Sequence, residues 1–250
     1  MLFRSYQTAA VVSNVVLTRE AIGLSTRFDH YDDFVDEREQ SLDVYERRAS
    51  RTSDAAIKWL RELRDTGRPH FLWVHYIDPH GPYRPPADSA GRDFRHPVPQ
   101  PIDSKRIVSY QRIPNIHDGA EYIDRYDEEI AYADAEIGRL LDVYDEPGLG
   151  DTGIVVSTAD HGENLIEHEV YFNHGHQVWN SIMRVPLMLR TPGGKDRKSV
   201  GEGKSVDLGG RRIIKKKTPT VGPRPPPHTT PPYSPPLLPH LHSPRTHTTR

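Results

Sequence analysis

Two side chains with the chemistry of a metal site, Asp160 and His161, stand next to each other directly after an apolar run. That run, residues 154–157, has the sequence Ile-Val-Val-Ser, which is typical of a buried strand, and it ends abruptly in charge. In α/β proteins ligands bind beyond the carboxyl ends of the strands. A carboxylate oxygen and an imidazole nitrogen can both bind a divalent cation. The pair therefore indicates a metal or reaction site, with an ordinary polar loop after a strand as the alternative.

A second apolar run, residues 71–76, ends in the same way. Its sequence, Phe-Leu-Trp-Val-His-Tyr, is rich in strand formers. The prolines and the glycine of residues 79–82 end the strand and fix a rigid turn that contains His80. A third turn, residues 172–176, has the sequence Phe-Asn-His-Gly-His. A single histidine is more often structural than catalytic, but three histidine-bearing turns favour a functional site.

The segments that must position these turns alternate between strands and helices. Further strands are predicted at residues 8–12 and 185–190, and a helix capped by Ser53 is predicted over 53–64. A longer helix is predicted from Ala120, because apolar residues recur there every three or four positions: Ile123, Tyr126, Ile130, Ala133, Ile137, Leu140 and Tyr144. This alternation predicts an α/β fold whose sheet is covered on both faces.

Four ordered blocks of the sequence resemble the sulfatase family of the alkaline-phosphatase superfamily. They are FLWVHYIDPHGPYRPP, YDEEIAYADAEIGRLLD, STADHGENLIEH and FNHGHQVWNSIMRVPLMLRTPGG, and TAAVVSN followed by GLSTRFDHYDD precedes them. The resemblance covers roughly residues 6–194. It implies an alkaline-phosphatase-like α/β/α sandwich with a mixed central sheet. It also implies a divalent cation and the hydrolysis of sulfuric esters, on either a small molecule or a glycan.

The resemblance further implies roles for individual residues. Asp160 and His161 would be two ligands of the cation. His80 would contact the sulfate and assist the leaving oxygen, which suits a side chain that titrates near neutrality. His174 would bind the ester, with His176 as the alternative because the register within His-Gly-His is open. The family habit favours calcium, and the ligand types also allow magnesium, manganese or zinc.

One part of the family's machinery has no counterpart in this sequence. Sulfatases carry a motif of the type Cys-x-Pro-x-Arg, or its serine version, whose Cys or Ser is converted to formylglycine. The chain contains no cysteine, and no serine stands in such a motif. The family's amino-terminal pair of metal-binding aspartates is missing too. We therefore interpret residues 1–194 as a partial catalytic domain, expect Met1 to lie inside a longer gene, and expect the chain itself to be inactive.

The carboxy-terminal segment, residues 195–250, has a different composition. Residues 196–250 contain 11 Lys and Arg against 3 Asp and Glu, and 11 of the 23 prolines of the chain lie between Pro219 and Pro244. Such a composition predicts a disordered tail. The stretch 196–217 resembles a translated sequencing adapter, so we interpret the tail as a sequencing artefact and expect no nucleic-acid partner.

Two other classes of function stay open at this point. The first is a phosphatase, phosphodiesterase or phosphonate hydrolase of the same superfamily, which would use a Thr or Ser nucleophile and often a second metal. The second is a non-catalytic fragment. No run approaches the ~20 apolar residues of a membrane span, and we assign neither a localisation nor an oligomeric state.

Overall fold

The computed structural model describes residues 5–35, 37–39, 44–64, 66–87, 94–175, 177–192 and 197–198. The strands in these ranges are β1 (Gln7–Val11), β2 (His30–Asp32), β3 (Glu37–Glu39), β4 (Val44–Glu46), β5 (His70–Val74), β6 (Val155–Thr158), β7 (Leu187–Arg190) and β8 (Arg197–Lys198). The helices are α1 (Arg19–Ile22), α2 (Ala49–Arg64), α3 (Gly119–Tyr144) and α4 (Asn180–Met183). The ends of the four strands predicted from sequence lie within two residues of β1, β5, β6 and β7.

The strands form one parallel and two antiparallel arrangements. In the first sheet β1 lies between β2 and β5 and is parallel to both, with Ala9 opposite His30 and Leu72. In the second sheet β7 lies between β6 and β8 and is antiparallel to both. Strands β3 and β4 form a separate antiparallel pair. The fold class is thus α/β with parallel and antiparallel strands, as the sequence predicts.

The main core lies between the first sheet and the two long helices. Side chains of α2 and α3 pack there around the central strand: Val11, Ala56, Ile57, Leu60, Leu140 and Val143. Strand β1 is apolar on both faces and its residues 9–11 are fully buried, as expected for a central parallel strand with layers on both sides.

Helix α2 begins four residues earlier than the sequence predicts, and the prediction that Ser53 caps it is wrong. The helix begins at Ala49, whose backbone N–H donates to the Asp78 carboxylate at 2.9 Å. Ser53 is a fully buried residue inside the helix. Its hydroxyl donates to the carbonyl of Glu136 at 3.0 Å and lies 2.7 Å from the Tyr76 hydroxyl. Ser53 therefore joins α2 to α3 and to the segment that follows β5.

A second core holds the third histidine turn in place. Asp118 caps α3 by accepting the N–H of Ala120 at 2.9 Å. The first turns of α3 then pack against residues of the loop that precedes it and of the 172–176 turn: Tyr83, Ile107, Tyr122, Ile123 and Phe172. This cluster joins the loop after β5 to the third histidine turn, residues 172–176.

The predicted division between residues 194 and 195 stays a prediction. Beyond it the described part of the chain contains Arg197 and Lys198, whose backbone forms β8 against β7. In the described ranges no helix combines the length and the apolar character that a membrane crossing requires.

Candidate active site

The turn after β5 brings His80 to the end of the parallel sheet. The backbone N–H of His80 donates to the carbonyl of Ile77 at 2.8 Å, which closes the turn. A Cβ on Gly81 would lie 2.7 Å from Oε1 of the buried Gln111, so the turn leaves no room for a side chain at that position. The imidazole stacks on Tyr110 with ring centroids 6.3 Å apart. Its Nδ1 is buried and has no hydrogen-bond partner among the described residues.

The turn after β6 presents Asp160 and His161. The carboxylate of Asp160 accepts the N–H of His161 at 3.0 Å, and its side chain is 83% exposed. Nδ1 of His161 lies 2.8 Å from the carbonyl of Gly162, so this nitrogen carries a proton and donates it. In the neutral ring Nε2 is then the acceptor atom, and it lies 3.9 Å from Oδ1 of Asp160. The two side chains that the sequence predicts as cation ligands thus lie side by side.

The backbone at Gly162 is pressed against helix α4. Its N–H donates to the carbonyl of Ile182 at 2.6 Å. A Cβ at this position would lie 2.1 Å from the carbonyl oxygen of Ser181. Glycine is the residue that allows this approach, and the approach fixes the direction in which His161 leaves the strand.

The third turn is held by backbone pairing and by one strained residue. Asn164 and Asn173 exchange backbone hydrogen bonds of 3.2 and 3.1 Å. Phe172 has the left-handed φ of 49°, which is uncommon for a residue other than glycine. Its side chain is fully buried and stacks on Tyr122 with ring centroids 4.5 Å apart. The aromatic core therefore holds the backbone in the conformation that leads into His174.

The three turns bring three of the predicted histidines together. The rings of His161 and His174 stack with centroids 4.1 Å apart, and the ring of His80 meets His174 edge-on at 5.3 Å. These residues come from positions separated by up to 94 in sequence, so local patterns could not reveal their contact. His176, the alternative to His174, lies outside the described residues.

Sequence reasoning missed the partner of His174. Nδ1 of His174 lies 3.1 Å from Oε2 of Glu163, and the two side chains are 16% and 6% exposed. This hydrogen bond raises the pKa of His174, with the negative charge of Glu163 acting in the same direction and burial against it. Burial lowers the pKa of His80, and the nearby His174 lowers it further. The cluster thus combines one histidine whose pKa is raised with one whose pKa is lowered.

A fourth histidine, His75, also lies at this end of the sheet. It belongs to the apolar run of residues 71–76, which predicts a strand and no chemical role for this side chain. Its backbone N–H donates to the carbonyl of Val11 at 2.9 Å, and its side chain is held by the fully buried Ser13. Burial lowers the pKa of His75, while the charge of Asp160 acts to raise it and that of His80 to lower it. His75 is therefore within electrostatic reach of two of the predicted site residues.

The residues present fit part of a cation site. Two donor atoms that share one ion at about 2.0–2.6 Å lie at most about 5 Å apart, and Nε2 of His161 and Oδ1 of Asp160 meet this condition. Among the described residues no group of three or more His, Cys, Asp or Glu side chains could hold a metal ion. Asp160 and His161 thus lie close enough together to bind one ion as part of a larger ligand set.

The family assignment follows from comparison with known proteins. The sulfatase family model matches residues 13–210, which contain all three histidine turns. The chain belongs to the sulfatase family. The curated sulfatase relatives include an endo-4-O-sulfatase of Bacteroides thetaiotaomicron, which is 29% identical over 134 residues. That alignment covers 52% of this chain and 25% of the relative, so the chain spans about a quarter of that sulfatase. Members of the family generally bind a divalent metal ion.

Solved structures share the sulfatase fold. One of them, determined in complex with D-glucosamine-2-N,6-O-disulfate, matches with a TM-score of 0.50 and 20% identity over 76% of this chain and 53% of that chain. The lipoteichoic acid synthase LtaP of Listeria monocytogenes matches with a TM-score of 0.51 and 18% identity, over 76% of this chain and 44% of that chain. At these identities the likeness concerns the fold alone, and the choice of reaction depends on the residues of the site.

Proposed function

We propose that the protein to which this chain belongs hydrolyses sulfuric esters. We further propose that His80 and His174 bind the ester and that Asp160 and His161 bind a cation. The observation that carries the proposal is the convergence of His80, His161 and His174 from three turns in a chain of the sulfatase family. We propose sulfated carbohydrates as the substrate class, supported by the iduronate 2-sulfatase of Mus musculus among the relatives.

His174 is suited to bind and protonate an anionic ester. Its Nδ1 is engaged by Glu163, so Nε2 is the atom that faces a ligand. Because the hydrogen bond and the charge of Glu163 raise the pKa of His174, the imidazolium form, in which Nε2 carries a proton, persists to a higher pH than in an ordinary histidine. Cleavage of a sulfuric ester releases an alkoxide that must gain a proton. We therefore assign the proton donor to Nε2 of His174 rather than to His80, to which the family resemblance gave that role.

His80 is suited to a neutral contact with the ester. Because the pKa of His80 is lowered while that of His174 is raised, His80 loses its proton at a lower pH than His174 does. A neutral imidazole donates one hydrogen bond and accepts another. The buried Nδ1 without a partner among the described residues is the polar atom that a bound ester oxygen would satisfy.

Asp160 and His161 are the residues that would hold the cation, for which we propose calcium. A bound divalent ion would supply Lewis-acid neutralisation of the sulfate oxygens. The contribution of the chain is the orientation of the ligands: the Gly162 carbonyl fixes the tautomer of His161, and helix α4 fixes the direction of the turn. We propose that the nucleophile lies outside the 250 residues, since they contain no Cys and no Ser in the required motif.

The first test is hydrolysis of an aryl sulfate and a matched aryl phosphate by the purified 250-residue chain with calcium. We expect no turnover of either ester, because the covalent step lacks its nucleophile. Turnover of the sulfate that Asp160→Asn abolishes would overturn our account of the missing nucleophile. Turnover of the phosphate alone would favour the phosphatase, phosphodiesterase or phosphonate hydrolase alternative.

The second test measures binding, which does not require the nucleophile. Titration with the aryl sulfate should shift the ring resonances of His80 and His174, and His174→Ala should remove the binding. The control is His117→Ala, which changes an exposed histidine of the loop before α3. A longer protein that includes the nucleophile should lose turnover by roughly 10²–10⁴-fold on His174→Ala. Unchanged binding in His174→Ala would favour a non-catalytic fragment.

A further inference from the structure

An open groove lies beside α4, and one of its lining residues is Ser181, whose carbonyl lies against Gly162. Its volume is about 620 Å³, which falls in the range of small-molecule sites. Its lining includes an aromatic pair, two polar residues of α4 and a cationic residue: His168, Trp179, Asn180, Ser181 and Arg184. These residues lie in the sequence blocks that resemble the sulfatase family, but none of the proposed ester and cation ligands is among them.

The floor of the groove is an aromatic platform. The ring centroids of His168 and Trp179 lie 4.1 Å apart, with an interplanar angle of 31°. His168 has a left-handed φ of 58°. The buried Asn164 holds this strained loop, because its side-chain amide donates to the carbonyls of Glu167 and Val170 on either side of His168. The neighbouring Val178 is 84% exposed, so the platform opens to solvent.

The wall of the groove is bonded to the turns of the candidate active site. The hydroxyl of Ser181 donates to Oδ1 of Asn164 at 3.0 Å, and Asn164 is paired with the residue before His174. The carbonyl of Ile182 accepts the N–H of Gly162, the residue after His161. One short helix therefore contacts two of the turns of the candidate active site and also lines the groove.

The chemistry of the lining fits a sugar ring. A pyranose has an apolar C–H face that packs on an indole ring and a rim of hydroxyls that hydrogen-bond to polar neighbours. Asn180 is exposed at the rim and its amide both donates and accepts. The carboxylate of Glu167 accepts the N–H groups of Leu165 and Ile166 at 3.0 and 3.2 Å, which offsets its negative charge. Arg184 adds a positive charge that suits a sulfated or carboxylated sugar.

We propose that this groove binds a second sugar of the substrate glycan, next to the sugar that carries the scissile sulfate, with Trp179 as its stacking platform. The identity of the ligand rests on the proposed function. The groove gives the protein a preference for oligosaccharides over single sulfated sugars.

The test compares three probes on the full 250-residue chain. They are D-glucosamine-2-N,6-O-disulfate, a heparin-derived tetrasaccharide, and the same tetrasaccharide after complete desulfation. Binding is measured by calorimetry and by the indole N–H resonance of Trp179. We expect the tetrasaccharide to bind more tightly than the monosaccharide and to shift the Trp179 resonance. Trp179→Ala should weaken tetrasaccharide binding about tenfold, the usual scale for an aromatic anchor.

Two further variants separate stacking from loss of structure. Trp179→Phe keeps an aromatic face and should retain most of the affinity. Phe34→Ala removes an aromatic side chain that is 65% exposed elsewhere on the surface and should change nothing. Melting curves of each variant show whether the fold is preserved.

The outcomes distinguish the groove from the sulfatase proposal. Equal affinity of the sulfated tetrasaccharide for the wild type and Trp179→Ala would overturn the groove and leave the proposed function standing. Binding of the desulfated tetrasaccharide at Trp179, with no gain in affinity from sulfate, would support the groove and contradict the proposed function. Failure of both tetrasaccharides to bind would overturn the proposal that the groove binds a sugar. Failure of the monosaccharide to bind as well would also contradict the proposed function.

Discussion

The hydroxyl of Ser13 fixes the tautomer of His75. Oγ of Ser13 lies 2.6 Å from the carbonyl oxygen of His75 and 3.2 Å from its Nδ1. A hydroxyl has one proton, and the shorter contact with the carbonyl uses it. The longer contact is then a hydrogen bond from Nδ1–H to Oγ, so Nε2 of the neutral ring carries a lone pair. The residue that follows β5 thus becomes an oriented hydrogen-bond acceptor at the end of the parallel sheet.

Replacement of Ser13 by Ala should release this ring. We expect the ¹⁵N resonances of His75 to shift toward a mixture of tautomers. The free energy of unfolding should fall by roughly 1–3 kcal/mol, because a buried carbonyl and a buried N–H lose their partner. NMR and denaturant titration measure the two effects. Ser5→Ala, at an exposed position of the same segment, is the control. A single unchanged tautomer in Ser13→Ala would show that other groups orient His75.

Substitution Glu163→Gln should lower the pKa of His174. The glutamine keeps a hydrogen-bond acceptor near Nδ1 but removes the negative charge that favours the imidazolium. The C2–H resonance of His174, followed through a pH titration, reports the change. The same titration in His117→Ala should give the wild-type curve for His174. An unchanged midpoint in Glu163→Gln would mean that the carboxylate does not control this proton.

The Glu163–His174 pair also predicts a pH dependence of stability. The folded-state pKa of His174 is raised above its ordinary value of 6.5. The stability that this pair contributes is therefore fully present below the pKa of His174 in the unfolded chain. It is lost as the pH rises through the higher pKa of His174 in the folded chain. The difference in unfolding free energy between the wild type and Glu163→Gln should be larger at pH 6 than at pH 9. Thermal or denaturant unfolding at the two values checks the sign.

Substitution Gly162→Ala should destabilise the protein and displace His161. The added Cβ would lie 2.1 Å from the Ser181 carbonyl oxygen, and a backbone atom cannot rotate away as a side chain can. We expect a loss of roughly 1–3 kcal/mol, the usual cost of overpacking. The control is Gly138→Ala inside α3, where nothing lies within 4 Å of the new Cβ. That change should stabilise the protein by about 0.5–1 kcal/mol, so equal effects of the two substitutions would refute the argument.

The isolated chain should bind divalent cations weakly. Asp160 and His161 supply two donors, so we expect a dissociation constant of about 1 mM or weaker for calcium, the weak end of protein calcium sites. Calorimetric titration measures it, with Asp160→Asn as the test variant and the exposed Glu62→Gln as the control. Micromolar affinity that depends on Asp160 would show that further side chains of the chain complete the site.

Elements with a local sequence signal are predicted correctly from the sequence. Features that depend on a contact with a residue distant in sequence are not. The apolar runs locate the strands to within two residues, because burial on both faces leaves a continuous run of strand formers. The start of α2 is missed because its cap, the carboxylate of Asp78, lies 29 positions from Ala49. In α3 the predicted apolar position Ile130 is 39% exposed, and its neighbour Glu129 is 4% exposed. The reason is again distant, since Glu129 accepts the backbone N–H of Arg84.

The candidate site shows the same limit. The types and positions of His80, Asp160, His161 and His174 follow from strand ends, turn residues and the family resemblance, and their catalytic roles remain predictions. The rise in the pKa of His174 caused by Glu163 and the fall in the pKa of His80 caused by burial depend on contacts that only the folded chain creates. The fourth residue of Asp-His-Gly-Glu is a signal that could have pointed to Glu163.

The conformation of Phe172 makes the aromatic core part of the candidate active site. A left-handed backbone at a residue other than glycine costs roughly 1–2 kcal/mol, and burial of a phenylalanine side chain returns about 1.5–3 kcal/mol. The ring packed on Tyr122 therefore holds the backbone two residues before His174 in a conformation that it would otherwise leave. Glycine at this position would remove the backbone strain, but it would also remove the side chain that fills the aromatic core. Leucine would keep apolar volume without the stacked ring. Inactivating substitutions found at Phe172 or Tyr122 in a genetic screen should thus be attributed to a misdirected histidine, although neither residue touches the ester.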